Sequence, residues 1–529
     1  MQADRVFFNG RIYTMDADRP QAQAVAVRCG RILATGGNDQ VSRLAGRDTQ
    51  QLDLQGRVVL PGFTDSHLHL VGYGLSLRYL QLDGIRTLEQ VVERVAERAR
   101  AARPGEWIRG RGWNRNLWPG APFPHKRDLD PVTPRNPALL PGKDGHSAWA
   151  NSLALSLAGI TRDTANPAGG QIERDSQTGE PTGLLKEGPA MNLVQRVAGE
   201  PDLAEKMGAV RAGVEHLHRL GIVGVHTPEE EHDFSALQAL WQEGELALRV
   251  NVMITERWLG HTGKMGLRGG LGDEFLRLSS IKIFADGALG SRTADMLEDY
   301  DDEPGNRGIE VTDSKRLEQL LAEAVEGGWS VAIHAIGDRA NHRVLDALES
   351  YRWSNLGLRP RIEHAQLLLA EDIARFGKMG VVASMQPMHC TSDMLMAEKH
   401  WSARCSGAYA WRSLLDSGAV LAFGSDAPVE EPDVLRGLFA AVTRQREDGT
   451  PPGGWHPELR LTIPEAVHAY TMGAALASGE EHVKGSITEG KWADMVVLSH
   501  DIMRLPPEAL LTARVEATIL GGNLVHGML

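Results

Sequence analysis

Short apolar runs alternate with amphipathic stretches over most of the chain, the pattern of βα units built around a parallel sheet. Eight runs read as strands: Val58–Asp65, Gly221–His226, Leu248–Ile254, Ser279–Phe284, Ser330–His334, Pro360–His364, Gly380–Gln386 and Ala419–Ser425. Apolar residues at helical spacing predict helices over Ser314–Glu326, Asp338–Glu349, Leu369–Lys378 and Ala408–Ser417. Eight such units predict an α/β chain folded as a (β/α)8 TIM-type barrel.

The two ends follow a different rhythm. Arg5–Phe8 stops at Asn9-Gly10, a hairpin signal, and Arg11–Thr14 follows; Ala24–Val27 turns at Gly30 into Arg31–Ala34. Ala493–Leu498 and Ala517–Val525 near the other end look similar. Neither end has enough apolar strand surface to fold alone, so residues 1–57 and 485–529 are expected to share one small β-domain, with the barrel over 58–484 between them. The connection from the first to the second barrel strand, at about 70–200, is far too long for a simple loop and carries Trp107, Trp113, Trp118 and Trp149. A long insertion after a barrel strand is expected to help form the pocket and set substrate choice.

Composition narrows the function classes. The chain has 529 residues with 42% hydrophobic and 24% charged positions, which suits a folded chain with a full core. Its 56 basic and 69 acidic residues give a formal net charge of −13. Such a surface repels a phosphate backbone or an anionic membrane, so the expected partner is a small-molecule substrate, with a homodimer left open. The three cysteines, Cys29, Cys390 and Cys405, have no paired spacing, so neither a disulfide framework nor a thiolate metal site is indicated. No run approaches the roughly 18–20 apolar residues that span a bilayer, and the first residues lack a secretory pattern, so a cytoplasmic location is expected.

The strongest chemical signal is Asp65-Ser66-His67-Leu68-His69 after the first strand. At a strand end, residues i and i+2 point the same way, so both imidazoles can share a metal. His216-Leu217-His218 has the same spacing but falls in a helical pattern, where i and i+2 diverge by roughly 200°, and is expected to be structural or solvated. His334, His364 and Asp426 end the fifth, sixth and eighth strands, and Lys282 lies in the fourth. Barrels place catalytic groups at these ends, and ionisable groups buried there without partners would be costly. Metal binding is the expected reading.

Pro61–His69, Asp144–Ser152, Phe284–Ser291, His334–Asp338, Glu363-His364, Gln386-Pro387, Gly424–Pro428 and Gly490–Asp494 together resemble the amidohydrolase superfamily, within it amidohydrolase family 3 of the YtcJ-like type. The resemblance spans nearly the whole chain. It implies a distorted barrel, a β-sandwich built from both termini, and one or two divalent metals, zinc first with iron or manganese as alternatives. It also implies hydrolysis of amide or related C–N bonds. In that scheme His67, His69 and Asp426 hold the more buried metal, and His334 and His364 hold a second or polarise substrate. Asp426 moves the proton from water to the leaving nitrogen. Lys282 would carry a CO2-derived carbamate bridging the metals, with Glu187 as the competing bridge and an ordinary interior ion pair to Asp286 or Asp426 as the alternative.

His146 and Trp113 in the insertion, with Asp286 and Gln386, are the candidates for contact with substrate. His146 reads nearly as well as a surface histidine, and Trp113 as a packing residue. Three functions compete: an amide, N-acyl or N-formyl hydrolase; an aminoheterocycle deaminase on the same barrel; and a barrel without catalysis. Mononuclear deaminases carry a Glu three residues after the fifth-strand His, and here that position is Gly337, which weakens the second. The intact set of His67, His69, His334, His364 and Asp426 weakens the third.

Overall fold

The computed structural model describes residues 2–143, 147–167, 170–199, 201–353 and 357–529. The chain divides into two compact units, one of residues 1–73 and 210–529 and another of residues 74–209.

The first unit holds a parallel barrel with strands β1 (Phe63–Asp65), β2 (Ile222–Glu229), β3 (Arg249–Thr255), β4 (Leu276–Phe284), β5 (Ser330–Ala335), β6 (Arg361–His364), β7 (Val382–Met385) and β8 (Val420–Phe423). They hydrogen-bond in chain order from β1 to β8. The ring is drawn together at its seam by loop backbone, with Ser66 N donating to Phe423 O at 3.0 Å and Asp426 N to His67 O at 2.6 Å. Helices Ser314–Glu326 and Asp338–Glu349 fall on their expected bounds, because buried Leu and Val recur at helical spacing.

The first expected strand breaks in two. Val58–Pro61 joins the terminal sheet, pairing with Arg11–Tyr13 and Met495–Leu498, and only Phe63–Asp65 enters the barrel. Gly62 is the joint: a Cβ there would lie 2.5 Å from Val223 Cγ2, so only a glycine lets the chain cross so close to β2.

Both chain ends form a β-sandwich. One sheet orders Arg31–Gly36, Ala24–Arg28, Ala3–Phe8 and Ala45–Asp53; the other orders Asn523–Gly527, Val515–Leu520, Met495–Leu498, Val58–Pro61, Arg11–Tyr13 and Gln21–Ala22. Alternation builds the core between them: Val25 and Val27 from one sheet meet Met495, Val497, Ala517 and Ile519 from the other. Val496 faces the opposite way, against the start of β2 at Gly221, and Arg249 at the foot of β3 is ion-paired to Asp494 at 2.5 Å. These two contacts join the sandwich to the barrel. The hairpin expected at Asn9-Gly10 is instead a crossover between the sheets, since Ala3–Phe8 and Arg11–Tyr13 pair with different partners. Gly10 packs its Cα against Leu54, and the Asn9 amide holds Asp53 at 2.9 Å, which directs the chain across the sandwich.

The second unit is a six-stranded mixed sheet, ordered Gln171–Arg174, Pro181–Lys186, Ser147–Ala150, Ala138–Pro141, Ile108–Arg111 and Leu80–Gln81, with its own apolar core. His216 and His218 lie in the helix Leu203–Arg219, as their surroundings predict, and Tyr73 hydrogen-bonds His216. Among the described residues no helix is long and apolar enough to cross a membrane.

Candidate metal centre

The C-terminal ends of the barrel strands converge on Asp426. His67 Nε2 lies 3.5 Å and His69 Nε2 3.4 Å from Asp426 Oδ1. Two ligands about 2.0–2.1 Å from one tetrahedral ion stand about 3.4 Å apart, so these separations are edges of such a tetrahedron. His67 is buried, whereas the His69 side chain is 40% exposed and is the solvent-facing member.

Three of the imidazoles are oriented through one ring nitrogen. His67 Nδ1 is 2.8 Å from Glu363 Oε2, His334 Nε2 is 2.9 Å from Gly287 O, and His364 Nδ1 is 2.8 Å from Gln386 Oε1. All three partners are acceptors, so the bonded nitrogen carries the proton and the opposite nitrogen keeps its lone pair. Burial, reinforced by Lys282, pulls His334 down to about 4. His364 falls well below its ordinary value through burial and the neighbouring His334. Both are neutral imidazoles at neutral pH, the form that binds metal. Burial pushes the Asp426 carboxyl up, but the hydrogen bond from His69, together with His67, outweighs it and holds the group well below the usual carboxylate range.

Backbone geometry turns two of these side chains into the site. Arg361 and Glu363 share the interior face of β6, so His364 would point outward in a regular strand. It has φ 72°, followed by Ala365 at 43°, and this left-handed bend brings the ring back to the mouth. Asp426 likewise has φ 59°. Non-glycine residues there cost of order 1–3 kcal/mol each and cluster at functional sites. Gly424, just before, lets the β8 loop lie against the β1 loop, for a Cβ would fall 2.5 Å from His67 N and 2.6 Å from Asp65 Oδ1. Gly424→Ala is expected to destabilise the fold by about 1–3 kcal/mol and loosen the metal position; urea unfolding checks it, and an unchanged midpoint would mean the loops part without cost.

Lys282 is 1% exposed in β4, and the register Lys282↔Ala332↔Arg361 sets it two residues deeper than Phe284↔His334↔Glu363. The alternative pairing with Asp286 or Asp426 does not form: Nζ has no hydrogen-bond partner among the described residues and stands 4.9 Å from the Phe284 ring. Burial lowers its ammonium to about 8, with Glu363 and Asp426 pulling the other way.

The remaining candidates take other places. Asp286 is 3.5 Å from His334 Nε2, and its carboxylate accepts from Ile336 N at 3.0 Å, Gly337 N at 2.8 Å and Asp295 N at 2.9 Å, so it shapes the loop after β5. Gln386 orients His364. Trp113 is 5% exposed in the core of the second unit, its indole N–H on Leu140 O at 2.6 Å, which supports the packing role. Glu187 opens the helix Glu187–Ala198 in that unit. His146 lies outside the described residues.

Two residues beyond the sequence-derived set join the site. Glu363 is fully buried between His67 and Arg361, whose Nε is 2.5 Å from Oε1; Arg361 also meets His226 Nδ1 at 2.7 Å and Ser384 Oγ at 2.7 Å. Arg361, ahead of His67, overcomes burial and holds Glu363 ionised, well below the usual range. Glu363→Gln is expected to weaken metal retention by roughly 10–100-fold; chelator competition measures it, and unaltered retention would remove Glu363 from this role. The other is His389, the third residue of the helix Pro387–Trp401, with Nε2 3.9 Å from Asp426 Oδ2. The signal for it was Gln386-Pro387-Met388-His389, a helix start directly after β7.

A barrel with this ligand set at the C-terminal ends of its strands is a hydrolase of the metal-dependent type. The sequence model of the amidohydrolase family matches residues 50–526, and the chain belongs to that family. It is 33% identical to the putative amidohydrolase YtcJ of Bacillus subtilis over 98% of this chain and 99% of that one. It is 28% identical to the N-substituted formamide deformylase of Arthrobacter pascens, covering 98% of each. A crystal structure of an uncharacterized metal-dependent hydrolase from Pyrococcus furiosus superposes with a TM-score of 0.78 at 28% identity, covering 94% of this chain and 100% of that one.

Proposed function

We propose that the protein hydrolyses a C–N bond (amide, N-acyl or N-formyl) of a small molecule by metal-assisted attack of water. The observation that carries this is the convergence of His67 Nε2 and His69 Nε2 on Oδ1 of Asp426 at 3.5 and 3.4 Å, with Glu363 as the acceptor behind the His67 ring. The donor set of imidazoles and a carboxylate fits zinc first, then iron or manganese. His67, His69 and Asp426 would hold the first ion. When bound, a divalent ion here supplies Lewis acidity, making water ionisable near neutral pH and drawing charge from a carbonyl oxygen.

The chain's own groups do the rest. Asp426, ionised at neutral pH, accepts the proton of the attacking water and returns it to the departing nitrogen. Glu363 and Arg361 keep His67 in the tautomer that presents Nε2. The Gly287 carbonyl holds His334 through Nε2, which leaves Nδ1 with the lone pair. The similarity to a formamide deformylase across the whole chain supports the N-formyl or N-acyl class.

The geometry weighs against the deaminase reading. Gly337, where deaminases carry their proton-shuttling glutamate, has no room for any side chain: a Cβ would stand 2.0 Å from Asp295 O. The next acid, Asp338, caps backbone through Oδ1, which accepts from Leu297 N at 2.9 Å and Arg339 N at 2.8 Å. The test is a screen of zinc-, iron- or manganese-loaded protein against N-formyl amines, N-acyl amines, cyclic amides and aminoheterocycles. Release of amine with formate or carboxylate is expected. Ammonia from aminoheterocycles alone would reverse the assignment, and no turnover of any class would overturn it.

A further inference from the structure

The foot of the barrel, away from the metal centre, holds a second candidate site. A cavity of about 610 Å³ lies there, within the roughly 300–1,000 Å³ range of small-molecule sites. Its wall is built where four strands begin: Arg277 and Ser279 in β4, Ser330 in β5, Arg359 just before β6 and Gly380 just before β7. β4 runs from Leu276 to Phe284, and at about 3.3 Å per residue its foot stands roughly 20–25 Å from the rim that carries the catalytic groups. A ligand at the foot would therefore meet no group of the metal centre.

Arg277 has the features of a guanidinium that binds a ligand. Its side chain is 31% exposed, and none of its N–H groups donates a hydrogen bond to a described residue. The Glu480 carboxylate stands 3.8 Å from Nη1, beyond a hydrogen bond, because it is engaged elsewhere. Its Oε2 is ion-paired to Lys484 at 2.5 Å and accepts from the Asn251 amide. Arg359, by contrast, has its own partner in Glu481 at 2.8 Å. Three cations, Arg277, Arg359 and Lys484, thus share two carboxylates, Glu480 and Glu481. The excess positive charge falls to the one guanidinium that lacks a hydrogen bond.

The backbone gives this guanidinium its space. Gly270 N donates to Leu278 O at 2.7 Å, which lays the preceding loop along β4, and its φ of 91° is one that side chains rarely adopt. A Cβ there would stand 3.1 Å from Arg277 Nη2, so only a glycine leaves the fork unobstructed. β4 also shifts register between Leu278 and Ser280 against Val252 and Met253, and through this bulge the consecutive Ser279 and Ser280 both reach the wall. Leu358, Met379 and Ala477 supply apolar surface to the same cavity. A planar fork that can hold two oxygens, in a cavity with apolar walls, matches a carboxylate on an apolar body.

We propose that this cavity binds a small organic carboxylate, its two oxygens on the Arg277 fork and its apolar body against Leu358, Met379 and Ala477. Binding here is independent of the hydrolase reading. Crystals of metal-loaded wild type are soaked with para-bromobenzoate, and the bromine is located by anomalous scattering. A bromine peak in the cavity beside Arg277 is expected; bromine at the metal centre alone, or none, would overturn the site without any variant. Calorimetry then compares para-bromobenzoate with inorganic phosphate on wild type, Arg277→Gln and Arg277→Lys, with circular dichroism as the check on folding. Arg277→Gln is expected to weaken the carboxylate by roughly 10–100-fold, and Arg277→Lys, which keeps the charge without the fork, by less. Unchanged affinity in Arg277→Gln would overturn the assignment to Arg277, and phosphate bound as tightly as the carboxylate would overturn the organic class.

Discussion

Asp426→Asn is expected to lower kcat by roughly 10²–10⁴-fold while the protein stays folded. The carboxylate faces His67 and His69 through Oδ1 and His389 through Oδ2, and it is kept ionised by the hydrogen bond from His69, with His67, against the opposing effect of burial. Asparagine preserves its size and is among the few side chains that tolerate a left-handed backbone, here φ 59°, so the loop after β8 keeps its path. What is lost is the negative charge that ligates and the basic oxygen that takes the proton from water. Turnover of a substrate found in the screen, metal content and circular dichroism together check it. Near-normal kcat in a metal-loaded Asp426→Asn protein would remove Asp426 from proton transfer.

Lys282→Ala is expected to lose metal and to lower activity by at least roughly 10²-fold, with partial rescue by acetate or propionate. Two dications about 3.5–4 Å apart require anions between them, and a cationic ammonium in their midst would oppose their binding. Lys282 is buried, has no hydrogen-bond partner among the described residues and is lowered to about 8 by burial, so a fraction of the amine is neutral at physiological pH and nucleophilic toward CO2. In that reaction the amine nitrogen forms a bond to the carbon of CO2 and releases one proton to solvent, leaving an anionic carbamate with two ligand oxygens. Carbon-13 NMR of protein equilibrated with labelled bicarbonate is expected to show a carbamate signal that Lys282→Ala lacks. Electron density with unmodified Lys282 and one ion would refute the bridge and leave hydrolysis by the His67, His69 and Asp426 position.

Much of this site was legible before folding was considered, and the reason is local. His67 and His69 follow an apolar strand, and His334, His364, Lys282 and Asp426 each sit in or at the end of a run whose apolar pattern marks it as β. A barrel gathers its strand ends on one rim, so knowing the strands nearly suffices to know the neighbours. Glu363 escaped because it precedes a stronger candidate in the same strand. Its role depends on His67 and Arg361, and His67 lies far away in the chain. His389 escaped because it belongs to a helix, and helix patterns say nothing about which first turn leans over a rim. The hairpin expected at Asn9-Gly10 failed for a related reason, since the same turn residues serve a crossover when Leu54 and Asp53 wait on the far side.

The sequence by itself determined the α/β class, eight strand positions and a small β-domain shared by both ends, and it offered five candidate ligand-type residues, because periods of 2 and 3.6 and the punctuation of Gly and Pro are properties of short stretches of chain. Tertiary structure decided which nitrogen of each imidazole is free, which oxygen of Asp426 each histidine faces, and that His364 turns inward through a left-handed bend. Those features depend on acceptors and packing supplied by strands distant in sequence, and no local pattern encodes a partner that only the closed barrel brings within 4 Å.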